Sequence, residues 1–252
     1  MARSVLVSAI FMTALFASLR GGETPNAEKI DFLRVIKPLL ESSCVKCHGQ
    51  DRFHGDLRLD TKEFALNSFG DLGRLLTPGN PEKSTLYITS VLPDGDPLAM
   101  PLRDRDKLTK DQAEQLRLWI AQGADWPEGA GLKRINKIFF SQAANVLQTS
   151  CLKCHSAAGA AGGIRLDNRE SAFKGGHNGP SIVRYDPDSS KLYRSLISPS
   201  VHDKNPPRLL FDEDIALLKE WIRQGAVWPD DMESIGPEPG DAKALPAPAK
   251  RQ

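Results

Sequence analysis

The sequence predicts a mainly α protein built as two tandem copies of one small domain, with long Gly- and Pro-rich loops inside each copy. Three observations predict it. Motifs recur in the same order at a separation of 107 residues that shrinks to 102. Apolar residues return at helical spacing at the start and end of each copy. No stretch shows sustained strand alternation. The repeat unit is domain-sized, so duplication of a domain explains it better than a solenoid.

The repeat is carried by four separated pieces. Cys44-Val45-Lys46-Cys47-His48 matches Cys151-Leu152-Lys153-Cys154-His155, 107 residues on. Leu57-Arg58-Leu59-Asp60 matches Ile164-Arg165-Leu166-Asp167 at the same offset. Pro81, Ser84, Leu86 and Tyr87 match Pro187, Ser190, Leu192 and Tyr193, 106 apart. Trp119-Ile120-x-x-Gly123-Ala124-x-Trp126-Pro127 matches Trp221-Ile222-x-x-Gly225-Ala226-x-Trp228-Pro229, 102 apart. All four tryptophans of the chain fall in that last motif.

In chain order, residues 1–20 read as an export signal: Arg3 is basic, and Val5 to Phe16 is nearly all apolar. The run is short for a membrane span, which takes about 20 apolar residues. An uncleaved membrane anchor is the alternative. The first copy is expected over 27–128. It opens with an amphipathic helix whose apolar face holds Ile30, Leu33 and Ile36. The cysteine motif follows, then a loop-rich stretch. A closing helix begins at Thr109, with Gln112 completing a capping box. Ala113, Leu116, Trp119 and Ile120 form its apolar face, and Gly123 stops it. A linker is expected around Glu128 to Leu132. The second copy is expected over 134–230, with Phe139, Ala143 and Val146 on its opening helix. Asp212 is the expected cap of its closing helix, which carries Ile215, Leu218, Trp221 and Ile222. Residues 237–252, rich in Pro, Ala, Gly and Lys, read as a disordered tail.

Composition excludes several classes. A net charge of +1 argues against a nucleic-acid binder that relies on bulk positive charge. Four cysteines in 252 residues are too few for a disulfide scaffold. Both cysteine pairs are C-x-x-C followed at once by histidine, the attachment signature of c-type haem. Two cysteines three apart on a helical turn project to one side and can bond two vinyl groups. The adjacent histidine can then bind iron. A zinc site would need a second ligand pair that neither copy repeats. A thioredoxin-like redox pair would need a βαβ context. Cys44, Cys47, Cys151 and Cys154 are therefore the expected anchors of two covalent haems c, with His48 and His155 as proximal iron ligands.

C-x-x-C-H, then [LI]-R-L-D, then Gly79 to Tyr87, then Met100-Pro101, then Trp119 to Pro127 resembles the planctomycete-type cytochrome c domain. The resemblance extends over both copies. It implies a cytochrome-c-like, mainly helical fold for each, and makes Met100 the distal ligand of haem 1. A core methionine is the plainer reading of Met100. The second copy departs from the pattern: Asn205-Pro206 stands where Met100-Pro101 would. Met232 lies beyond the closing helix and is expected at the surface. His202 lies as far before Trp221 as Met100 lies before Trp119, 19 residues. Two arrangements fit haem 2: His202 as distal ligand, or an open site. Arg58 and Arg165 can pair with haem propionates or serve only the fold. His54 and His177 read as loop residues.

The expected function is electron transfer between redox partner proteins by an exported di-haem cytochrome c, periplasmic or otherwise extracytoplasmic. Membrane contact is expected only if the N-terminal segment stays uncleaved. The alternative is a peroxidase-like di-haem enzyme with an open or displaceable sixth position at haem 2.

Overall fold

A computed structural model describes residues 28–51, 54–198 and 210–236. The expected signal, the tail and His202 lie outside the described residues. Among the described residues the fold is mainly helical, with two hydrophobic clusters, one per copy. No helix there is long and apolar enough to cross a membrane.

The first copy opens with a π-helical turn, Phe32–Ile36, that runs into α1, Lys37–Ser43. Asp31 Oδ1 accepts the Arg34 N–H at 2.8 Å and starts the turn. Then come α2 (Val45–His48), α3 (Lys62–Asn67), a two-residue hairpin of β1 (Phe69–Gly70) and β2 (Gly73–Arg74), α4 (Thr85–Ser90) and α5 (Lys110–Ala121). The second copy has α6 (Phe140–Ser150), a hairpin of β3 (His155–Ser156) and β4 (Gly159–Ala160), α7 (Arg169–Lys174), α8 (Lys191–Ile197) and α9 (Asp212–Arg223). Both hairpins are antiparallel.

Each core is a sandwich of the opening and closing helices around the tryptophans. The Phe32 ring lies 4.5 Å from Trp126 and 5.7 Å from Trp119. Phe140 repeats this with Trp228 at 4.5 Å and Trp221 at 6.1 Å. Every indole N–H is satisfied by a local carbonyl: Asp125 and Ala130 in the first copy, Val227 and Met232 in the second. At about 25 cal/mol/Å² and about 200 Å² per ring, each indole contributes roughly 5 kcal/mol before chain entropy is subtracted.

The closing helices end as expected. Gly123 and Gly225 adopt φ of 101° and 102°, and Ala124 and Ala226 follow at 51° and 47°. The Ala124 and Ala226 N–H groups return to Trp119 O and Trp221 O, each at 2.9 Å. That bond turns the chain so that the second tryptophan packs on the first. Thr109 and Gln112 form the capping box of α5.

Three local expectations are corrected. Leu33 is exposed, whereas Val35, Ile36, Leu39 and Leu40 are buried. The cause is the π turn, which rotates the helix face. It absorbs an extra residue: Phe32 stands 12 positions before Cys44, Phe140 only 11 before Cys151. Next, the cap of α9 is Phe211, with Asp212 already helical; the Phe211 N–H donates to Asp214 Oδ2 at 3.4 Å. Finally, the expected linker is held to the first core. Trp126 Nε1 donates to Ala130 O, the Leu132 N–H donates to Asp60 O, and Leu132 is buried. The Ile235 N–H repeats the second contact at Asp167 O.

The copies touch along the connection between them. Glu41, 2% exposed, accepts the Lys133 N–H at 3.0 Å and pairs with Lys37 at 2.8 Å. Arg184 faces Asp111 at 3.6 Å, and Tyr185 packs on the first cluster.

Candidate functional site

Both cysteine motifs form where the opening helix runs out. Cys44 caps α1, its N–H still donating to Leu40 O at 2.9 Å. The Cys47 and His48 N–H groups then turn back to Cys44 O at 3.1 and 3.0 Å. In the second copy the Cys151 N–H donates to Leu147 O at 2.8 Å. Cys154 and His155 return to Cys151 O at 3.1 and 2.9 Å. One helical turn thus presents two thiols and an imidazole together, twice.

The [LI]-R-L-D motif is tied directly to this turn. His48 O accepts the Leu59 N–H and His155 O accepts the Leu166 N–H, both at 2.8 Å. Both leucines are buried. Arg58 forms a two-pronged pair with Asp60, Nε and Nη2 donating at 2.9 and 2.6 Å. Arg165 does the same with Asp167 at 3.1 and 3.0 Å. The Arg58 guanidinium also lies 3.8 Å from the centre of the Phe64 ring. Each arginine is therefore fixed one residue from the segment that holds the histidine carbonyl.

Burial pushes the Cys44 and Cys151 thiols up to about 12, so both stay protonated at neutral pH. Cys151 is buried and Cys154 exposed, whereas Cys44 and Cys47 are both half-buried, and all four cysteines are free. Burial also pulls the His48 imidazole below its ordinary range. The backbone of Leu57 and His54 opposes this weakly, and the charge of His54 adds to it. His48 Nδ1 is buried with no hydrogen-bond partner among the described residues. A buried polar atom of that kind calls for a ligand, and a neutral imidazole beside two thiols is a donor set that haem c would use. Among the described residues no cluster of three or more His, Cys, Asp or Glu side chains forms a chelating group.

Met100 is half-buried in the connection between α4 and α5, its N–H donating to Thr89 O at 2.8 Å and Ala99 buried before it. The Met100-Pro101 peptide is cis. His54 and His177 are exposed, and Met232 is 41% exposed. The His177 ring lies against Gly163, where a Cβ would meet it at 2.8 Å. Gly163 also has φ +72°, so two constraints select glycine there.

Other repeated residues prove to be scaffolding. Ser84 and Ser190, both fully buried, each accept a backbone N–H seven residues earlier, from Thr77 at 2.9 Å and Val183 at 2.8 Å. Each also donates to a carbonyl four residues earlier, Asn80 and Asp186. Sequence reasoning missed Glu41, Lys137, Arg184 and Tyr185, which join the copies. One signal was available: Arg184-Tyr185 replaces Pro78-Gly79 at the 106-residue offset.

Comparison with known families gives a match to the family described as Planctomycete cytochrome C, over residues 44–104 and 151–208. Both matched segments begin at the first cysteine of a C-x-x-C-H motif and stop before the closing helix. No curated protein and no solved structure matches the chain. Two matches in order, on two turns of the same geometry, show that the chain carries the Planctomycete cytochrome C domain in two tandem copies.

Proposed function

We propose that the chain is an exported di-haem cytochrome c that passes electrons between redox partner proteins. The observation that carries this reading is the duplicated turn itself: two thiols and a half-buried imidazole, closed by the same backbone bonds at 44–48 and 151–155. The family implies covalently bound haem c, which supplies a one-electron couple when bound. Cys44 and Cys47 would hold one haem, Cys151 and Cys154 the other. Each thiol would add its S–H across a vinyl group, sulfur to one carbon and hydrogen to the other, with no net oxidation. His48 and His155 would each offer an imidazole lone pair to iron, and burial favours the neutral form of His48 that can do so.

The two sites are unequal on the distal side. Met100 supports a thioether ligand in the first copy, which favours ferrous iron and a higher potential. In the second copy Asn205 stands at the matching position, and His202 is the nearest nitrogen donor. That substitution also supports the second reading, a peroxidase-like enzyme with a displaceable ligand at the second site. Arg58 and Arg165, already set by their aspartates, offer their remaining N–H groups to propionates. The N-terminal segment supports export.

Redox titration of the haem-loaded protein tests the reading. Two separate one-electron waves, fast exchange with soluble redox proteins and negligible peroxide turnover are expected. Peroxide turnover with a high-spin second haem would favour the enzyme instead.

A further inference from the structure

A lysine position repeated in both copies is used differently in each. The Ile30 N–H donates to Gln122 Oε1 at 2.8 Å, and the Ile138 N–H donates to Gln224 Oε1 at 2.8 Å. The same glutamines donate back to Glu28 O and Asn136 O. This frame places Lys29 and Lys137 at equivalent positions. Lys29 Nζ pairs with Asp125 at 2.7 Å on the surface of its own copy. The equivalent of Asp125 in the second copy, one residue before the second tryptophan, is Val227. Lys137 has no carboxylate there to meet.

Its ammonium crosses to the first copy instead. Lys137 Nζ donates to Asp106 O at 2.9 Å and Lys107 O at 3.3 Å. Those carbonyls end the 3₁₀ turn Asp104–Asp106, in the segment that leads from Met100-Pro101 into α5. Beside it, the Arg105 guanidinium lies 5.8 Å from the centre of the Phe139 ring, a second contact from the second copy to the same turn. Lys137 is half-buried, and its charge acts on Asp106 and on Cys44. It therefore ties the segment after Met100 to the second copy. A cation in a partly buried setting is screened less than one at the surface, and it disfavours the more positive ferric state.

We propose that Lys137 is a positioning residue for the first haem site: supplied by the second copy, it holds the turn after Met100 in place and raises the potential of that site. This rests on the reading that the first site carries haem with Met100 as ligand.

The test uses the haem-loaded full chain, with Lys137→Gln, Lys137→Arg, Val227→Asp and Lys29→Gln compared by redox titration and by the thioether-to-ferric-iron charge-transfer band. Lys137→Gln should shift the first wave downward and weaken the band, leaving the second wave in place. Lys137→Arg should restore both, since arginine keeps the charge and the donors. Val227→Asp should act like Lys137→Gln, because it offers Lys137 the carboxylate that Lys29 finds in Asp125. Lys29→Gln should change neither signal. Wild-type protein with two waves and the band, but unmoved in Lys137→Gln and Val227→Asp, would overturn this inference alone. Wild-type protein lacking the band or one wave would overturn the underlying reading, and the inference with it.

Discussion

The two copies are most alike where they are buried and least alike where they meet. Phe32 and Phe140 occupy the same place against their tryptophans, and the Gly-Ala turns repeat to within a few degrees. Ser84 and Ser190 tie the same loop with the same bonds. By contrast, Pro78-Gly79 becomes Arg184-Tyr185, Asp125 becomes Val227, and Met100-Pro101 faces Asn205-Pro206. The shared residues build the turn that presents two thiols and an imidazole. The divergent ones include those that join the copies.

The largest effect should come from breaking what is shared. Trp119→Ala and Trp221→Ala should each cost about 3–5 kcal/mol, read by urea unfolding. Equal costs would confirm equivalent cores, and unequal costs would show that one copy leans on the other.

Next is the contact between copies. Tyr185 has φ +63° where the first copy has Gly79 at +79°. A tyrosine there carries roughly 1–2 kcal/mol of backbone strain, retained because its ring packs on the first cluster. Tyr185→Gly relieves the strain but removes the ring, and should cost a net of about 2 kcal/mol. It should also split a single unfolding transition into two. Burial raises the Tyr185 hydroxyl from its ordinary 10 to about 12. A raised pKa means stability that is full below pH 10 and lost as pH climbs toward 12. Tyr185→Phe should remove that alkaline loss, as followed by circular dichroism against pH.

The thiols give a kinetic comparison within the second copy. In protein made without haem, iodoacetamide should modify the exposed Cys154 well before the buried Cys151. The margin should exceed about tenfold at neutral pH, because the thiolate is the reactive form. Peptide mapping over time reads this. Equal rates would mean that the motif turn is open.

The smallest effects belong to the arginines. Arg58→Ala and Arg165→Ala remove partly exposed ion pairs and should leave the urea midpoint nearly unchanged. A propionate contact would appear instead as a shifted potential in the loaded protein. Asp167 is the acid-side counterpart. Burial alone would raise its carboxyl, but the Arg165 bond and the Ala157 N–H outweigh that and hold it below the ordinary range. Its stabilisation is therefore present above the usual carboxylate pKa and fades only as pH drops below it.

Much of the site could be read from the sequence, since C-x-x-C-H is local and each Gly stop is a single-residue signal. The closing helices were legible for the same reason: a capping box and a 3.6-residue period are short-range. The face of the opening helix was not, because a π turn shifts the phase and leaves no compositional mark. Residues 128–132 look like a linker by composition, yet the Leu132 N–H bond to Asp60 O fastens them to the core. Glu41 and Lys137 were invisible because their partners lie 92 and about 30 positions away. Only the fold brings those charges to places where they can be buried and paired.

Intact-mass measurement of the haem-loaded chain, followed by mapping of the modified peptides, tests the central claim most directly. Two added haem masses are predicted, one on the peptide holding Cys44 and Cys47 and one on the peptide holding Cys151 and Cys154. A single added haem, or none under conditions that load other c-type cytochromes, would contradict it.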